Sequence, residues 1–179
     1  MEFSVFIAVS VDGFIADENG DIDWLMDAGE PDENEEFGFQ EFFSSIDIMI
    51  MGRKTMDTVL SFDIEWPYNG KRVIVLSNTM KEVPLELKNK IEIYSGSIKD
   101  LAEALINQGY KKAYVDGGKT IQSFIQEGLI DEITITTVPV ILGEGIPLFA
   151  RNRRIMKLEH IKSAYLGGGF TASRYRILK

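Results

Sequence analysis

Apolar residues alternate with polar ones through Phe3, Val5, Ile7, Val9 and Val11, and this period of two predicts a β-strand over residues 3–11. Asp12-Gly13 is a turn signal. Residues 17–31 are rich in Asp, Glu, Gly and Asn and read as a loop. From about Asp32 to Ile46 the spacing of Phe39, Phe42, Phe43 and Ile46 predicts a helix. Ile48 to Met51 is a short unbroken apolar run, the pattern of a strand buried on both faces, and a short helix follows Gly52. The alternation then repeats, with strands at 72–76, 91–94, 112–115 and 133–138. Helices fall at 97–108, between Ser97 as N-cap and Gly109 as C-terminal stop, and at 117–127 before Gly128. The last segments, 155–165 and 170–178, read as two antiparallel strands joined at Gly167-Gly168-Gly169. Repeated βα units predict an α/β fold. Its central sheet is mostly parallel and flanked by helices, with an antiparallel C-terminal hairpin at one edge.

At 179 residues the chain suits a single domain over 1–179, and no apolar run is long enough to span a membrane. No basic segment followed by an apolar stretch opens the chain, so no signal peptide is expected. Cysteine is absent, which excludes disulfides, thiolate metal sites and a cysteine nucleophile, and makes the cytoplasm the simplest compartment. One histidine and no cysteine leave little from which to build a zinc site. That histidine, His160, and the basic run Arg151 to Arg154 read as structural. The net charge of −9 argues against a nucleic-acid partner, whose phosphates require cationic contacts. Acid concentrates between residues 12 and 47, whereas base gathers at Arg53-Lys54, Lys71-Arg72 and Arg151 to Arg154. An anionic ligand would bind near such a patch.

Two segments carry candidate chemistry. Met51-Gly52-Arg53-Lys54-Thr55 lies where a buried strand turns into a helix. The backbone N–H groups of a helix start favour phosphate, and Arg53, Lys54 and Thr55 add charge and a hydroxyl. The same pattern also suits a helix start with two solvated basic residues. Val115-Asp116-Gly117-Gly118-Lys119-Thr120 repeats the arrangement with paired glycines, which let a backbone approach a ligand closely. Both turns, and Leu76-Ser77-Asn78, fall at carboxyl ends of strands, where open α/β sheets bind ligands. Together they point to a dinucleotide or another extended phosphate ligand. The Gly-x-Gly-x-x-Gly fingerprint is absent after the first strand.

Ile7-Ala8-Val9-Ser10-Val11-Asp12-Gly13-Phe14-Ile15-Ala16 resembles the opening of the dihydrofolate reductase-like superfamily. Met51-Gly52-Arg53-Lys54-Thr55 resembles the Met-Gly-Arg-x-Thr of dihydrofolate reductase. Val115-Asp116-Gly117-Gly118, Gly128-Leu129-Ile130-Asp131-Glu132 and Pro139-Val140-Ile141-Leu142-Gly143-Glu144-Gly145 are similar to the C-terminal reductase domain of the riboflavin enzyme RibD. This resemblance implies a dihydrofolate reductase-like fold and an NADPH-dependent reductase of a pteridine- or pyrimidine-like heterocycle. It places Gly52, Arg53, Lys54, Thr55, Gly117, Gly118, Lys119 and Thr120 at the cofactor phosphates, and Ser77 and Asn78 at the adenosine 2′-phosphate. Ala8 and Ile15 would border the nicotinamide, with Trp24 near the reacting ring and the 17–31 loop closing over it. A substrate-site carboxylate, by the same likeness, falls at Glu36, although the helical wheel puts Asp32 and Glu35 nearer the inward face. All three also suit a solvated helix start, where the dipole favours acids. A homodimer is the assembly the resemblance implies. The rival reading is a nucleotide-binding module on the same fold without turnover.

Overall fold

The computed structural model describes residues 1–29, 31, 37–62, 64–149 and 155–179. Its elements follow the chain as β1 (Glu2–Ser10), β2 (Phe14–Ala16), α1 (Asp23–Asp27), α2 (Phe39–Ser45), β3 (Ile48–Gly52), α3 (Arg53–Ser61) and β4 (Arg72–Leu76). They continue as β5 (Ile91–Tyr94), α4 (Ile98–Asn107), β6 (Lys112–Asp116), α5 (Gly118–Gln126), β7 (Glu132–Val138), β8 (Ile146–Pro147), β9 (Lys157–Tyr165) and β10 (Thr171–Leu178). Eight strands form one sheet in the order β5-β4-β3-β6-β1-β7-β10-β9. The pairings from β5 to β7 are parallel, whereas β10 runs antiparallel to β7 and to β9. This is the expected sheet, parallel through most of its width with an antiparallel hairpin at one edge.

Strand β3 shows why the apolar run had to be central. Ile48 and Ile50 enter one core with Phe3, Val115, Ile121 and Phe124, while Met49 and Met51 enter another with Phe42, Met56, Val59 and Tyr114. All four residues from Ile48 to Met51 are completely buried, so neither face tolerates a polar side chain. Helix α4 buries Leu101, Ala102 and Leu105, and Ser97 caps it as its sequence indicates, with the Asp100 N–H donating to Ser97 Oγ at 3.3 Å. Ser97→Ala should therefore cost about 1 kcal/mol. The check is a lower urea midpoint at unchanged slope; an unmoved midpoint would make the cap dispensable.

Two expectations need correction. The helix expected from Asp32 begins only at Phe39, because Gly38 takes a left-handed conformation (φ +81°) and Phe37 precedes it outside the helix, buried in a third core. Asp32, Glu35 and Glu36 lie outside the described residues. The 17–31 loop is also not wholly irregular. It contains α1, whose Trp24 and Leu25 pack with Ala28 against the third core beside Phe37, Leu166 and Phe170. That apolar side lies among acids, which hid its short helical period.

Strands β2 and β8 form a separate two-stranded antiparallel ribbon. A knot around Asp12 braces it. The Asp12 carboxylate accepts from Ser10 Oγ at 2.7 Å and from the N–H groups of Leu142 at 3.1 Å and Gly143 at 2.7 Å. These bonds hold the carboxyl below its ordinary range, the Ser10 hydroxyl contributing most.

Candidate functional site

The carboxyl ends of β5, β4, β3, β6 and β1 open into one cleft of about 720 Å³. Its floor is organised by the adjacency of β3 and β6, which sets Met51 opposite Asp116 and so puts the two following turns side by side. The turns interlock. A β-carbon on Gly52 would come within 3.0 Å of Thr120 Oγ1, and one on Gly117 would overlap the Thr55 hydroxyl. Each glycine thus accepts the threonine from the first turn of the opposite helix. Gly117 also requires its positive φ of +89°, which side chains disfavour.

Neither α3 nor α5 has a side-chain cap at its N-terminus, and neither has an acid in its first turn. The first N–H groups of a helix have no partner within it, so two sets of donors and two positive dipole ends converge on the cleft. Arg53, Lys54 and Lys119 add cationic charge around them. Arg53 contacts Asp57 at 3.4 Å and reaches Thr79 Oγ1 at 3.5 Å, which leans it toward the loop after β4. There Ser77 Oγ accepts the N–H groups of Thr79 and Met80, shaping the loop, while its own O–H has no acceptor among the described residues. On the other side, Ile15 and Ile146 close over Gly118, whose missing β-carbon gives them room. The ribbon therefore forms an apolar wall beside the second turn.

Asp116, the last residue of β6, also lines the cleft next to the second turn, and Phe6, Leu25, Phe62 and Tyr68 add apolar and aromatic surface to the lining. One Asp116 oxygen accepts the Gly117 N–H at 2.8 Å. Burial pushes its carboxyl up to about 6, only partly offset by that bond. Tyr114, packed beside it, has its phenol raised well above the ordinary value, by burial first and by the Asp116 charge second. Its hydroxyl donates to the Phe6 carbonyl at 2.8 Å. A carboxyl that titrates near neutrality in a cleft can both hold and release a proton.

The RibD C-terminal domain family matches residues 3–171. This chain belongs to that family. It is 35% identical over 146 residues to the uncharacterised protein YwjB of Bacillus subtilis (strain 168), covering 81% of this chain and 80% of the relative. A crystal structure of a Shewanella sp. PV-4 protein provisionally ascribed to riboflavin biosynthesis superposes with a TM-score of 0.92 at 42% identity, over the full length of both chains. Dihydrofolate reductase from Enterococcus faecalis, complexed with NADP(H) and RAB-propyl, superposes with a TM-score of 0.67 at 14% identity, over 99% of this chain and 97% of that one. The fold is thus the dihydrofolate reductase-like one.

Within this RibD-like fold, all twelve residues expected at a cofactor line this same cleft: Ala8, Ile15, Gly52, Arg53, Lys54, Thr55, Ser77, Asn78, Gly117, Gly118, Lys119 and Thr120. Trp24 does not join them. It packs into the third core, where its indole N–H is buried without a partner among the described residues, and Ile22 and Leu25 face the cleft instead. Glu36, expected as the substrate-site carboxylate, lies outside the described residues. His160 sits on β9, bonded to Ser163 at 2.7 Å and edge-on to Tyr175. Sequence reasoning passed over Asp116 itself. The signal was there, a carboxylate ending a buried strand just before paired glycines, but periodicity carries no information on how deeply a strand end is buried.

Proposed function

We propose that the chain is an NADPH-dependent reductase of a pteridine- or pyrimidine-like heterocycle, such as 5-amino-6-(5-phosphoribosylamino)uracil or dihydrofolate. The observation that carries this reading is the shared floor of the cleft. Two interlocked, uncapped helix N-termini stand beside a carboxyl raised toward neutrality. The donor set fits the cofactor: unfilled N–H groups and three cations suit phosphates, and glycine at 52 and 117 leaves no β-carbon in the way. Gly52 to Thr55 and Gly117 to Thr120 would hold the pyrophosphate, and Arg53 with Ser77 and Asn78 the 2′-phosphate. Ala8 and Ile15 would border the nicotinamide. When bound, NADPH supplies the hydride. Asp116 holds the accompanying proton.

The test has two parts. Purified protein should bind NADPH in the micromolar range and oxidise it, read at 340 nm, in the presence of one of a panel of dihydropterins and aminopyrimidines. Arg53→Ala should weaken NADPH binding about tenfold or more while changing NADH little, since a charge-assisted phosphate contact is lost. Equal losses for both cofactors would remove Arg53 from the 2′-phosphate, and absence of NADPH binding would refute the proposal.

A further inference from the structure

The lining of the cleft contains a second polar group that no phosphate reading uses. Tyr68 lies between α3 and β4, and its ring is clamped edge-on against Trp66 at 5.0 Å and tilted against Phe43 at 6.1 Å. Trp66 is buried in the same core as Val59 and Met56, so the clamp is anchored. A backbone bond from Lys71 N–H to the Tyr68 carbonyl at 3.1 Å fixes the turn. The two phenols near Asp116 differ in one respect. Tyr114 spends its hydroxyl on the Phe6 carbonyl, whereas the Tyr68 hydroxyl has no hydrogen-bond partner among the described residues and Tyr68 lines the cleft. Burial and the Asp116 charge both keep the Tyr68 phenol protonated, so it remains an O–H donor at any working pH. Of the Asp116 carboxyl, which lines the same cleft, only one oxygen is engaged by a described residue. The cleft therefore offers a fixed donor and an ionisable acceptor against aromatic walls.

We propose that Tyr68 is a specificity-determining residue. Its phenol donates to a ring carbonyl on the lactam edge of an oxopyrimidine or oxopteridine, and so holds that ring in the cleft that Asp116 also lines. The assignment of Tyr68 to substrate rests on the reductase reading. A ring bearing an amino group in place of that carbonyl presents an N–H donor where the Tyr68 O–H needs an acceptor, and is discriminated against by that mismatch.

Tyr68→Phe removes the hydroxyl and keeps the ring that Trp66 and Phe43 clamp. Two probes separate the outcomes: 6-aminouracil, which carries the lactam edge, and 2,4-diaminopyrimidine, which does not. Ligand-observed NMR titration of the full chain should show 6-aminouracil weakened about five- to tenfold in the variant, the size of one lost neutral hydrogen bond. Binding of 2,4-diaminopyrimidine and of NADPH should be unchanged. Equal effects on both probes, no effect on either, or a wild-type protein that binds no 6-aminouracil would each overturn the proposal. Selective loss of 6-aminouracil in a protein that binds no NADPH would support Tyr68 and sink the reductase reading. NADPH binding without any probe selectivity would do the reverse.

Discussion

Asp116→Asn is expected to lower turnover about 10²–10⁴-fold, the usual contribution of a positioned proton donor, while making the protein more stable at neutral pH. Both effects have one cause. The carboxyl is pushed from 3.8 to about 6 by burial, so the folded protein holds a proton over a range in which the unfolded chain has lost it. Below the unfolded value both states are protonated and burial of this group costs nothing. As pH rises the folded state is penalised, and above about 6 the penalty is complete, at most about 3 kcal/mol from the conversion of about 1.4 kcal/mol per pKa unit. Asp116 is partly open to the cleft, so about 1–3 kcal/mol is the range expected. Asparagine carries no charge to bury, and its carbonyl can still accept the Gly117 N–H. Its gain in stability should therefore be present at pH 8 and gone below about pH 4. Urea midpoints across this range, alongside NADPH oxidation rates, provide the check. A variant that is inactive but no more stable at pH 8 would mean the carboxyl is not buried at a cost, and an active one would remove Asp116 from proton transfer.

The same residue shows where the sequence stops being legible. Strand β3 was readable because four consecutive apolar residues can satisfy two cores only from the centre of a sheet. Helix α4 was readable because Ser97 and Gly109 bracket an apolar stripe. The two phosphate-type turns were readable as local chemistry, but their interlock was not. It arises from β3 and β6 pairing between residues 65 positions apart, such as Met51 and Asp116, which brings Thr55 over Gly117 and Thr120 over Gly52. The β2–β8 ribbon escaped for a related reason. Three residues and two residues carry no usable period, and their pairing is set by Asp12 gripping the N–H groups of Leu142 and Gly143, some 130 positions away. Trp24, expected by analogy near the reacting ring, packs on the third core, to which Phe6, Ala8 and Leu25 of the cleft lining also belong. Long-range packing decided each of these cases.

Gly117→Ala should be the most damaging single substitution in the cleft. Its φ of +89° with ψ of 136° belongs to a region that residues with a β-carbon enter only at about 1–3 kcal/mol. The new methyl would also overlap the Thr55 hydroxyl, and overpacking of this kind adds about 1–3 kcal/mol. Relief by backbone movement pulls the start of α5 away from α3, separating the two sets of N–H donors that a pyrophosphate needs together. NADPH affinity is therefore expected to fall at least 100-fold, together with a drop of several kcal/mol in unfolding free energy. The pair Thr55→Ala with Gly117→Ala divides the two causes. Removing the hydroxyl relieves the overlap but leaves the positive φ, so the double variant should recover the packing part of the stability loss and little of the NADPH affinity. Urea unfolding and NADPH fluorescence titration of the four proteins measure the coupling directly. Additive losses would show that Thr55 and Gly117 do not touch, and a Gly117→Ala protein with wild-type stability and affinity would refute the interlocked floor on which the site is built.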